Sequence, residues 1–477
     1  MEDLPDLVIS NATVVNADAR KNAHVVIRGG KIAELVDAAH RVPHASTTVD
    51  ARGRLLLPGG VDGHCHVAQV AGKHRTLDDF AVTSTAALWG GGTTTIIDFG
   101  IPRDDSETPL EAARNKIALA RESRCDVGLH ASVVRWDETV PAQLEELAAM
   151  GIRSVKMYTT NRGSTMADND TILRVMKQMV RLDGLTYIHA EHDAIIADCT
   201  AEHVATGDIG IRHLHRTRPE LAEEISVKET LAMAEYTGAP VYFVHQSTPG
   251  AVDLVTEARM DGLTAYSETC PHYLTLDENV YGEDFPEWYA CCPPMRSAET
   301  VAALKERVLT GAVHTVASDH SCYDLSQKLE RSDDIRQMPH GLPGVETRMP
   351  VTFTSMVSPE GHGTERFVEV FAAGPARINA LQGKGVVAPG FDADLVLVDP
   401  AEVRTVTGTA LHVGTDFSPF EGKALRGWPQ LVVSAGRIVL DEIGFHDPGP
   451  VGRFIKRQGF RETIAAPAKR EAVNQTA

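Results

Sequence analysis

The sequence predicts an α/β fold, a (β/α)₈ TIM-like barrel with a small β-sandwich domain built from both chain ends. Eight apolar runs rich in β-branched residues occur between residues 59 and 320, and helical stretches rich in Ala, Leu, Glu and Arg lie between them. Strand-like segments separated by Gly turns occupy both ends of the chain. Near-continuous apolar runs indicate strands buried on both faces, as in a parallel sheet. Eight strand–helix units fit a closed barrel.

The order of the apolar runs favours the barrel over a doubly wound sheet. In chain order they are GGVDGHCHV, TTTIIDFG, DVGLHASVV, IRSVKMYTT, LTYIHAEH, PVYFVHQS, LTAYSETCPHYL and HTVASDH. The segments PLEAARNKIALARES and VKETLAMAEYTG are typical of the helices between them. A doubly wound sheet usually shows a Gly-rich phosphate loop after its first strand. Here the first run ends in HCH instead.

The pattern of strand and turn signals at the two chain ends predicts how the chain divides into domains. Short strand signals separated by turns fill residues 1–57, and the segment 386–445 has the same pattern. We therefore expect these two segments to form the β-sandwich domain and residues 58–385 to form the barrel. Residues 446–477 would be a C-terminal tail, whose local basic charge is typical of a solvated or subunit-contacting segment.

Composition excludes several classes of function. The 477 residues are 43% hydrophobic and 23% charged, which is ordinary for a globular protein. The sequence contains no long apolar run that predicts a membrane span, and its acidic N-terminus lacks the features of a signal peptide. The net charge of −19 argues against non-specific nucleic-acid binding. We expect a cytoplasmic protein with no nucleic-acid or membrane partner.

The seven cysteines predict reduced thiols. They are scattered along the chain without a C-x-x-C pair, and their number is odd. The adjacent Cys291 and Cys292 could form a vicinal disulfide, but such a bond is strained, and two free thiols fit the pattern better.

Six chemically active side chains fall at the carboxyl ends of five of the eight predicted strands. They are His64, His66, Lys156, His189, His245 and Asp319. Barrels of this type place their active sites at those ends. His64 and His66 form an H-x-H motif, and the two-residue period of a strand puts both imidazoles on one face. His245 alone would more often be a buried structural histidine, and Asp319 could cap a helix. Together the six predict a metal site.

The ligand types limit the metal. Imidazoles and a carboxylate without thiolate fit Zn²⁺ best, and Mn²⁺, Fe²⁺ or Co²⁺ would also fit. The surplus of ligands predicts two ions, which lie about 3.5–4 Å apart in hydrolytic pairs. Such a pair needs a bridging anion, and a protonated lysine cannot supply one. The N6-carboxylysine that Lys156 would form with CO₂ offers two oxygens.

Ten ordered sequence blocks carry a family resemblance. They are PGGVDGHCH, GGTTTIIDF, SVKMY, HAE, VHQS, ETCPHYL, PPMR, SDH, GLPGVETR and GFDADLVLVDP. With these blocks the chain resembles the amidohydrolase superfamily from its first strands through residue 440. Within the superfamily it resembles the cyclic amidohydrolases: dihydropyrimidinase, hydantoinase and allantoinase. So many blocks in one order are highly specific for the superfamily.

The resemblance implies a role for each candidate ligand. His64 and His66 would bind the more buried ion, Lys156 would bridge as a carbamate, His189 and His245 would bind the second ion, and Asp319 would bind the first. A hydroxide between the ions would attack a ring carbonyl, and Asp319 would pass the proton to the leaving ring nitrogen. The implied substrate is a small hydantoin, dihydropyrimidine or related cyclic ureide or imide. The product would be an N-carbamoyl amino acid or a similar open-chain acid.

Three positions expected to contact the substrate depart from the family pattern. Asn161 stands where dihydropyrimidinases and D-hydantoinases usually carry a tyrosine that donates to the oxyanion. Cys292 and His340 stand where a serine and an asparagine usually hold the ring through their backbone groups. A backbone contact survives a change of side chain, so Asn161 bears most directly on the choice of substrate.

Three neighbouring positions refine the prediction. Tyr158 occupies a position that is usually aromatic in the family, and we expect it to pack. His192 replaces a usual asparagine, and a surface or packing role fits it better than a role next to the ligands. Ala68 stands where dihydroorotases carry a carboxylate-binding arginine, which argues against that activity.

Several alternatives remain open at this point. An allantoinase-type or other cyclic-imide hydrolase could use the same site. A non-enzymatic scaffold of hydantoinase fold would have lost its metal ligands, and a mononuclear deaminase would usually lack the bridging lysine. Because relatives are commonly homotetramers, the resemblance also implies a homo-oligomer, a tetramer or a dimer.

Overall fold

The N-terminal segment forms short strands, as its turn signals predict. In the computed structural model, which describes residues 4–71 and 73–461, they are β1 (Leu7–Val15), β2 (Arg20–Arg28), β3 (Lys31–Asp37), β4 (Thr47–Asp50) and β5 (Leu55–Pro58). β1, β2 and β3 pair antiparallel in sequence. β4 runs parallel to the first half of β1, and β5 runs parallel to its second half.

Eight parallel strands form a nearly closed barrel, and each of the eight predicted runs supplies one of them. The first, β6 (Gly60–Cys65), is followed by a hairpin of β7 (Val70–Ala71) and β8 (His74–Arg75). The others are β9 (Thr93–Gly100), β10 (Asp126–Ser132), β11 (Ser154–Tyr158), β12 (Leu185–His189), β13 (Val241–Phe243), β14 (Ala265–Thr269) and β15 (Thr315–Val316). The His66 amide donates to the His320 carbonyl at 2.8 Å and joins the last strand to the first. The barrel prediction is confirmed, and the doubly wound alternative is wrong.

Every residue of the eight barrel strands is buried, which explains the near-continuous apolar runs. The helices pack around them. They are α1 (Phe80–Trp89), α2 (Pro109–Leu119), α3 (Val140–Ala149), α4 (Asn169–Arg181), α5 (Asp193–Thr206), α6 (Leu214–Thr217), α7 (Glu220–Thr237), α8 (Pro249–Met260), α9 (Ala298–Thr310), α10 (Leu325–Leu329), α11 (Arg348–Met356), α12 (Thr364–Val368) and α13 (Gly374–Ile378). Side-chain caps fix where several begin; Thr108 and Glu111, for example, form a capping box at α2.

Six strands follow the barrel in the described C-terminal part, and four of them complete a nine-stranded sheet with the N-terminal strands. They are β16 (Leu395–Val398), β17 (Val403–Thr405), β18 (Ala424–Arg426), β19 (Pro429–Ser434), β20 (Arg437–Asp441) and β21 (Gly444–Phe445). The order is β21-β20-β19-β16-β5-β1-β2-β3, with β4 beside β1, while β17 and β18 form a separate hairpin. The Ile32 amide of β3 donates to the Phe391 carbonyl at 2.9 Å. The sheet therefore curls back toward β16 around its own apolar core, and the predicted union of both chain ends is confirmed.

The described part of the C-terminal tail packs against the barrel of its own chain. Phe454 pairs with Val127 in the β10 strand, and the buried Arg457 donates to the Ser154 hydroxyl at 2.7 Å. Arg453 forms an ion pair with Asp126 at 2.6 Å. This part of the tail is therefore not a free solvated segment, because its arginines meet barrel acceptors, and the expected contact with another subunit stays a prediction. The rest of the tail, residues 462–477, lies outside the described residues.

Two sequence-based expectations concern the whole chain. The seven cysteines, all of which lie in the described ranges, carry free thiols, so the prediction of reduced cysteines is confirmed. Among residues 4–71 and 73–461, the structure contains no helix that is long and apolar enough to cross a membrane.

Candidate metal centre and reaction cleft

The six predicted ligands converge at one end of the barrel. His64 lies in β6 and His66 just beyond it, Lys156 lies in β11, His189 ends β12, His245 follows β13 by two residues, and Asp319 follows β15 by three. The four histidines and Lys156 are buried, and the Asp319 side chain keeps 16% of its surface exposed. The carboxyl ends of the strands thus bring together side chains that are up to 255 positions apart in the sequence, between His64 and Asp319.

Three ligand atoms at the centre of this cluster lie at equal separations. Asp319 Oδ1 is 3.1 Å from His64 Nε2 and 3.1 Å from His66 Nε2, and the two nitrogens are 3.1 Å apart. Donor atoms bound to one Zn²⁺ at about 2.0–2.2 Å have a similar spacing. His66 Nδ1 and His245 Nδ1 are buried without a hydrogen-bond partner among the described residues. The cluster therefore fits a bound cation.

Electrostatics favour the metal-binding forms of these groups. Burial lowers the pKa of His66, of His189 and of His245, so their imidazoles stay neutral and keep a lone pair for a metal. Burial alone would raise the pKa of Asp319, but the neighbouring His64 and His66 outweigh it and hold that pKa well below its usual range. Asp319 is therefore an anion beside the neutral imidazoles of His66 and His245. Burial lowers the pKa of His64, but the carboxylates of Asp319 and Glu268 outweigh it and raise that pKa.

Lys156 is fully buried without a counter-ion. Its Nζ has no hydrogen-bond partner among the described residues and lies 5.0 Å from the ring centroid of Phe99 and 5.1 Å from that of Tyr158. A buried ammonium without a partner is costly, and burial lowers the pKa of Lys156 to about 8. The uncharged amine, which is the form that reacts with electrophiles, is therefore accessible near neutral pH.

His189 is oriented by an ion pair behind it. Its Nε2 lies 2.7 Å from Glu191 Oε2, and Arg218 donates to the same oxygen at 2.6 Å. Burial raises the pKa of Glu191, but Arg218 and His189 outweigh it and lower that pKa to about 2. The ionised Glu191 therefore holds Nε2, and the Nδ1 edge remains for a ligand. The His189 and His245 ring centroids lie 4.5 Å apart.

Glu268, at the end of β14, orients two further candidate ligands. Its Oε1 lies 2.8 Å from His64 Nδ1 and accepts the His245 backbone N–H at 3.1 Å. Its Oε2 accepts the Tyr242 hydroxyl at 2.6 Å. This contact turns His64 Nε2 toward Asp319, which is the usual arrangement of a carboxylate behind a metal-binding histidine.

The backbone is strained at two of the six positions. His245 has φ +38° and Asp319 has φ +49°, a left-handed conformation that residues with a Cβ seldom adopt. Such conformations cluster at functional sites, where the surrounding structure holds them. The next helix, α10, begins at Leu325 and is capped by Asp324, so the helix-cap interpretation of Asp319 is wrong.

Comparison with known proteins identifies the family. Residues 55–439 match the amidohydrolase family. The chain belongs to this family. It is 34% identical to a D-hydantoinase of Ralstonia pickettii, with 96% of this chain and 100% of that protein covered. It is 33% identical to a D-phenylhydantoinase of Escherichia coli O9:H4 (strain HS), with 95% and 98% covered.

A solved structure supports the fold independently. The crystal structure of a dihydropyrimidinase from Brevibacillus agri NCHU1002 is similar with a TM-score of 0.91 and 31% sequence identity, and 96% of this chain and 99% of that chain are covered. The family resemblance predicted from the sequence is therefore confirmed, and so is the enzyme class, an amidohydrolase.

Five of the six residues, all except His64, form the floor of a cleft of about 1560 Å³. The predicted substrate contacts Asn161, Cys292 and His340 all line this cleft. Cys292 Sγ lies 2.9 Å from His340 Nδ1. Burial raises the pKa of Cys292 to about 12 and lowers the pKa of His340 to about 3, so the contact joins a neutral thiol and a neutral imidazole.

Asn161 lies at the outer wall of the cleft. It has φ +72°, its side chain is exposed, and its amide donates to the Thr165 hydroxyl at 3.2 Å. The neighbouring His192 accepts the Ile195 amide at 3.4 Å and caps α5, which agrees with the packing role predicted for it.

Sequence reasoning missed the residues that hold the ligands in place. Glu191 and Glu268 lie in blocks used for the family resemblance, HAE and ETCPHYL, but neither was given a role. An acid at a strand end beside a candidate ligand was the available signal. Arg218 gave no comparable signal, because it follows α6 in a loop and meets Glu191 only in the folded chain.

Proposed function

We propose that the chain is a binuclear metal-dependent hydrolase that opens a C–N bond of a small cyclic amide. The proposed substrate is a hydantoin, a dihydropyrimidine or a related cyclic ureide or imide. The observation that carries the proposal is the convergence of four imidazoles, a buried lysine and a carboxylate at one end of the barrel, where all of them except His64 line one cleft. The relatives named D-hydantoinase, D-phenylhydantoinase and dihydropyrimidinase support the substrate class.

The six convergent residues would hold two divalent ions. Zn²⁺ suits imidazole and carboxylate ligands best, and Mn²⁺, Fe²⁺ or Co²⁺ are the alternatives. Lys156 would bridge them as N6-carboxylysine, since its buried amine, with a pKa of about 8, can add to CO₂ in its neutral form. When bound, the ions supply a hydroxide at neutral pH and polarise the substrate carbonyl.

Asp319 is the proposed acid and base. Its side chain lies 3.1 Å from both His64 and His66 and is partly open to the cleft, so it can reach a water held there. It would take a proton as the new C–O bond forms and return it to the ring nitrogen as the C–N bond breaks. The product would be an N-carbamoyl amino acid or a similar open-chain acid.

The proposed substrate contacts lie above the floor of the cleft. The backbone groups of Cys292 and His340 would hold the ring amide, and Asn161 would face the entering substrate from the outer wall. All three line the cleft, which supports this assignment. We also propose that the enzyme is cytoplasmic and acts as a homo-oligomer, a tetramer or a dimer.

A turnover panel on Zn²⁺-loaded protein tests the function. It contains dihydrouracil, hydantoin, 5-substituted hydantoins of both hands, allantoin and cyclic imides, with the open-chain acid measured as product. We expect turnover of at least one cyclic ureide or imide and none by Asp319→Asn. Turnover of allantoin alone would favour an allantoinase-type enzyme, and turnover of cyclic imides alone would favour a cyclic-imide hydrolase. No turnover of any compound would overturn the assignment, and protein unable to bind metal would favour a scaffold.

A further inference from the structure

Tyr158 lies close to the buried Lys156 on the same strand. It ends β11 two residues after Lys156, and the two-residue period of a strand places both side chains on the inward face. In the sheet it pairs in register with His189 of β12. Its ring centroid lies 5.1 Å from Lys156 Nζ and 5.4 Å from the His189 ring centroid. The ring therefore borders the candidate metal centre on the side of the cleft, which it lines.

The hydroxyl of Tyr158 differs from those of other tyrosines buried in the barrel. Buried tyrosine hydroxyls usually find a hydrogen-bond partner. The others donate as follows: Tyr187 to Asn379, Tyr242 to Glu268 and Tyr273 to the Pro293 carbonyl. No described residue pairs with the Tyr158 hydroxyl, although the residue is only 8% exposed. This hydroxyl is therefore available to a ligand in the cleft.

Two other candidate donors that line the cleft, Asn161 and Tyr323, are already engaged. The amide of Asn161 donates to Thr165, and its exposed side chain lies at the outer wall. Tyr323, which also lines the cleft, has Ser321 as the partner of its hydroxyl. The prediction that Tyr158 only packs therefore leaves its unpaired hydroxyl unexplained.

We propose that the Tyr158 hydroxyl donates a hydrogen bond to the substrate carbonyl oxygen that gains negative charge when the ring amide is attacked. This inference rests on the proposed function. The phenol keeps its proton and forms no covalent bond, so the balance of the hydrolysis is unchanged. A donor that meets the oxygen most strongly in the transition state raises kcat more than it tightens substrate binding.

The test is Tyr158→Phe, assayed on the best substrate of the panel. Removing one oxyanion donor typically lowers kcat by about 10²–10³-fold. We expect a loss of this size with little change in KM. Metal content and thermal stability should be unchanged, since the hydroxyl has no protein partner to lose. Tyr236→Phe, at an exposed position on α7, is the matched control and should retain the kcat of the wild type.

The results for Tyr158→Phe and the wild type separate a failure of this inference from a failure of the proposed function. Undiminished kcat in Tyr158→Phe, with an active wild type, overturns the inference and leaves the proposed function standing. A loss accompanied by lost metal or lower thermal stability also overturns it, because Tyr158 would then be structural. An equal loss in Tyr323→Phe would assign the donor to that residue instead. A wild type that opens no ring overturns both proposals.

Discussion

Glu268 shows how a residue outside the predicted ligand set can control the metal centre. Its carboxylate holds His64 Nδ1 and the His245 backbone at once, so it fixes the direction of two candidate ligands. Loss of such a contact typically costs about 10–100-fold in metal affinity. We expect Glu268→Gln to weaken metal binding by this factor, as measured by competition with a chelator. Glu257→Gln, an exposed change on α8, is the control.

Equal metal affinity in Glu268→Gln and the wild type would contradict the role given to Glu268. A general loss of stability would show as an earlier melting transition in the metal-free protein, so the melting curve should be recorded for both variants.

Lys156 carries the prediction of a two-ion centre. Lys156→Ala removes the only lysine of the predicted ligand set, and with it the proposed bridge. We expect activity to be abolished and the metal content to fall by one ion per subunit, as measured by elemental analysis. Lys177→Ala, at an exposed position on α4, should keep both ions. Survival of full activity and of both ions in Lys156→Ala would show that the centre is not bridged by this residue.

The six candidate ligands could be predicted because the sequence pattern indicates both the two-residue period of a strand and the residue at which each strand ends. The H-x-H spacing and the lysine in SVKMY each mark an inward-facing position at the carboxyl end of a strand. The contacts of Glu268 could not be predicted, because they depend on how its side chain meets His64, which is 204 positions away. The thiol–imidazole contact of Cys292 and His340 could not be predicted for the same reason.

A buried ion cluster joins the barrel to the sheet built from both chain ends. Lys384 Nζ lies 2.6 Å from Asp126 at the start of β10, and 3.0 Å and 2.5 Å from Asp392 and Asp394 before β16. Burial lowers the pKa of Lys384, but the three carboxylates outweigh it and raise that pKa above its usual value. The lysine thus compensates acids contributed by both units of the fold.

Removing this lysine should destabilise the chain strongly. Lys384→Met leaves buried carboxylates without their ammonium, a change that typically costs about 3–5 kcal/mol. We expect the free energy of unfolding to decrease by about 3 kcal/mol, because Arg453 still pairs with Asp126 and Asp392. Urea unfolding measures it, with the exposed Lys423→Met as control. A decrease below about 1 kcal/mol would contradict this view of the cluster.

The strands were easier to predict from the sequence than the long-range contacts that the tail makes with them. The apolar runs located all eight barrel strands, since strands buried on both faces need apolar residues at nearly every position. The packing of residues 453–457 on their own barrel was not predicted, because the basic composition of the tail is typical of solvated segments. Arg457 is nevertheless buried, and it donates to the Leu129 carbonyl and to Ser154. Such long-range acceptors leave no local pattern in the sequence.

The stability of the whole molecule should depend on pH through its buried neutral histidines. His314 Nδ1 accepts the Ser267 amide at 3.0 Å. Burial, followed by the positive charge of Arg259, lowers the pKa of His314 to about 3. In the unfolded chain this group binds a proton below pH of about 6.5. Its contribution is fully present above that pH and is lost as the pH falls toward the folded pKa.

This linkage predicts a measurable slope. Between pH of about 6.5 and 3, His314 should lower the free energy of unfolding by up to about 1.4 kcal/mol per pH unit as the pH falls. His314→Gln should flatten the slope by that amount in urea titrations at several pH values. Identical slopes in His314→Gln and the wild type would refute the assignment.

At the scale of the whole molecule, the dependence of ring opening on the number of bound ions tests the proposal of a binuclear metal-dependent hydrolase most directly. Metal-free protein is titrated with Zn²⁺ in bicarbonate buffer, and hydrolysis of the best cyclic ureide or imide is measured against the number of ions bound per subunit. We predict that activity rises to its maximum as the second ion binds and is abolished by chelation. Full activity with no ion or with one ion per subunit would contradict the binuclear account.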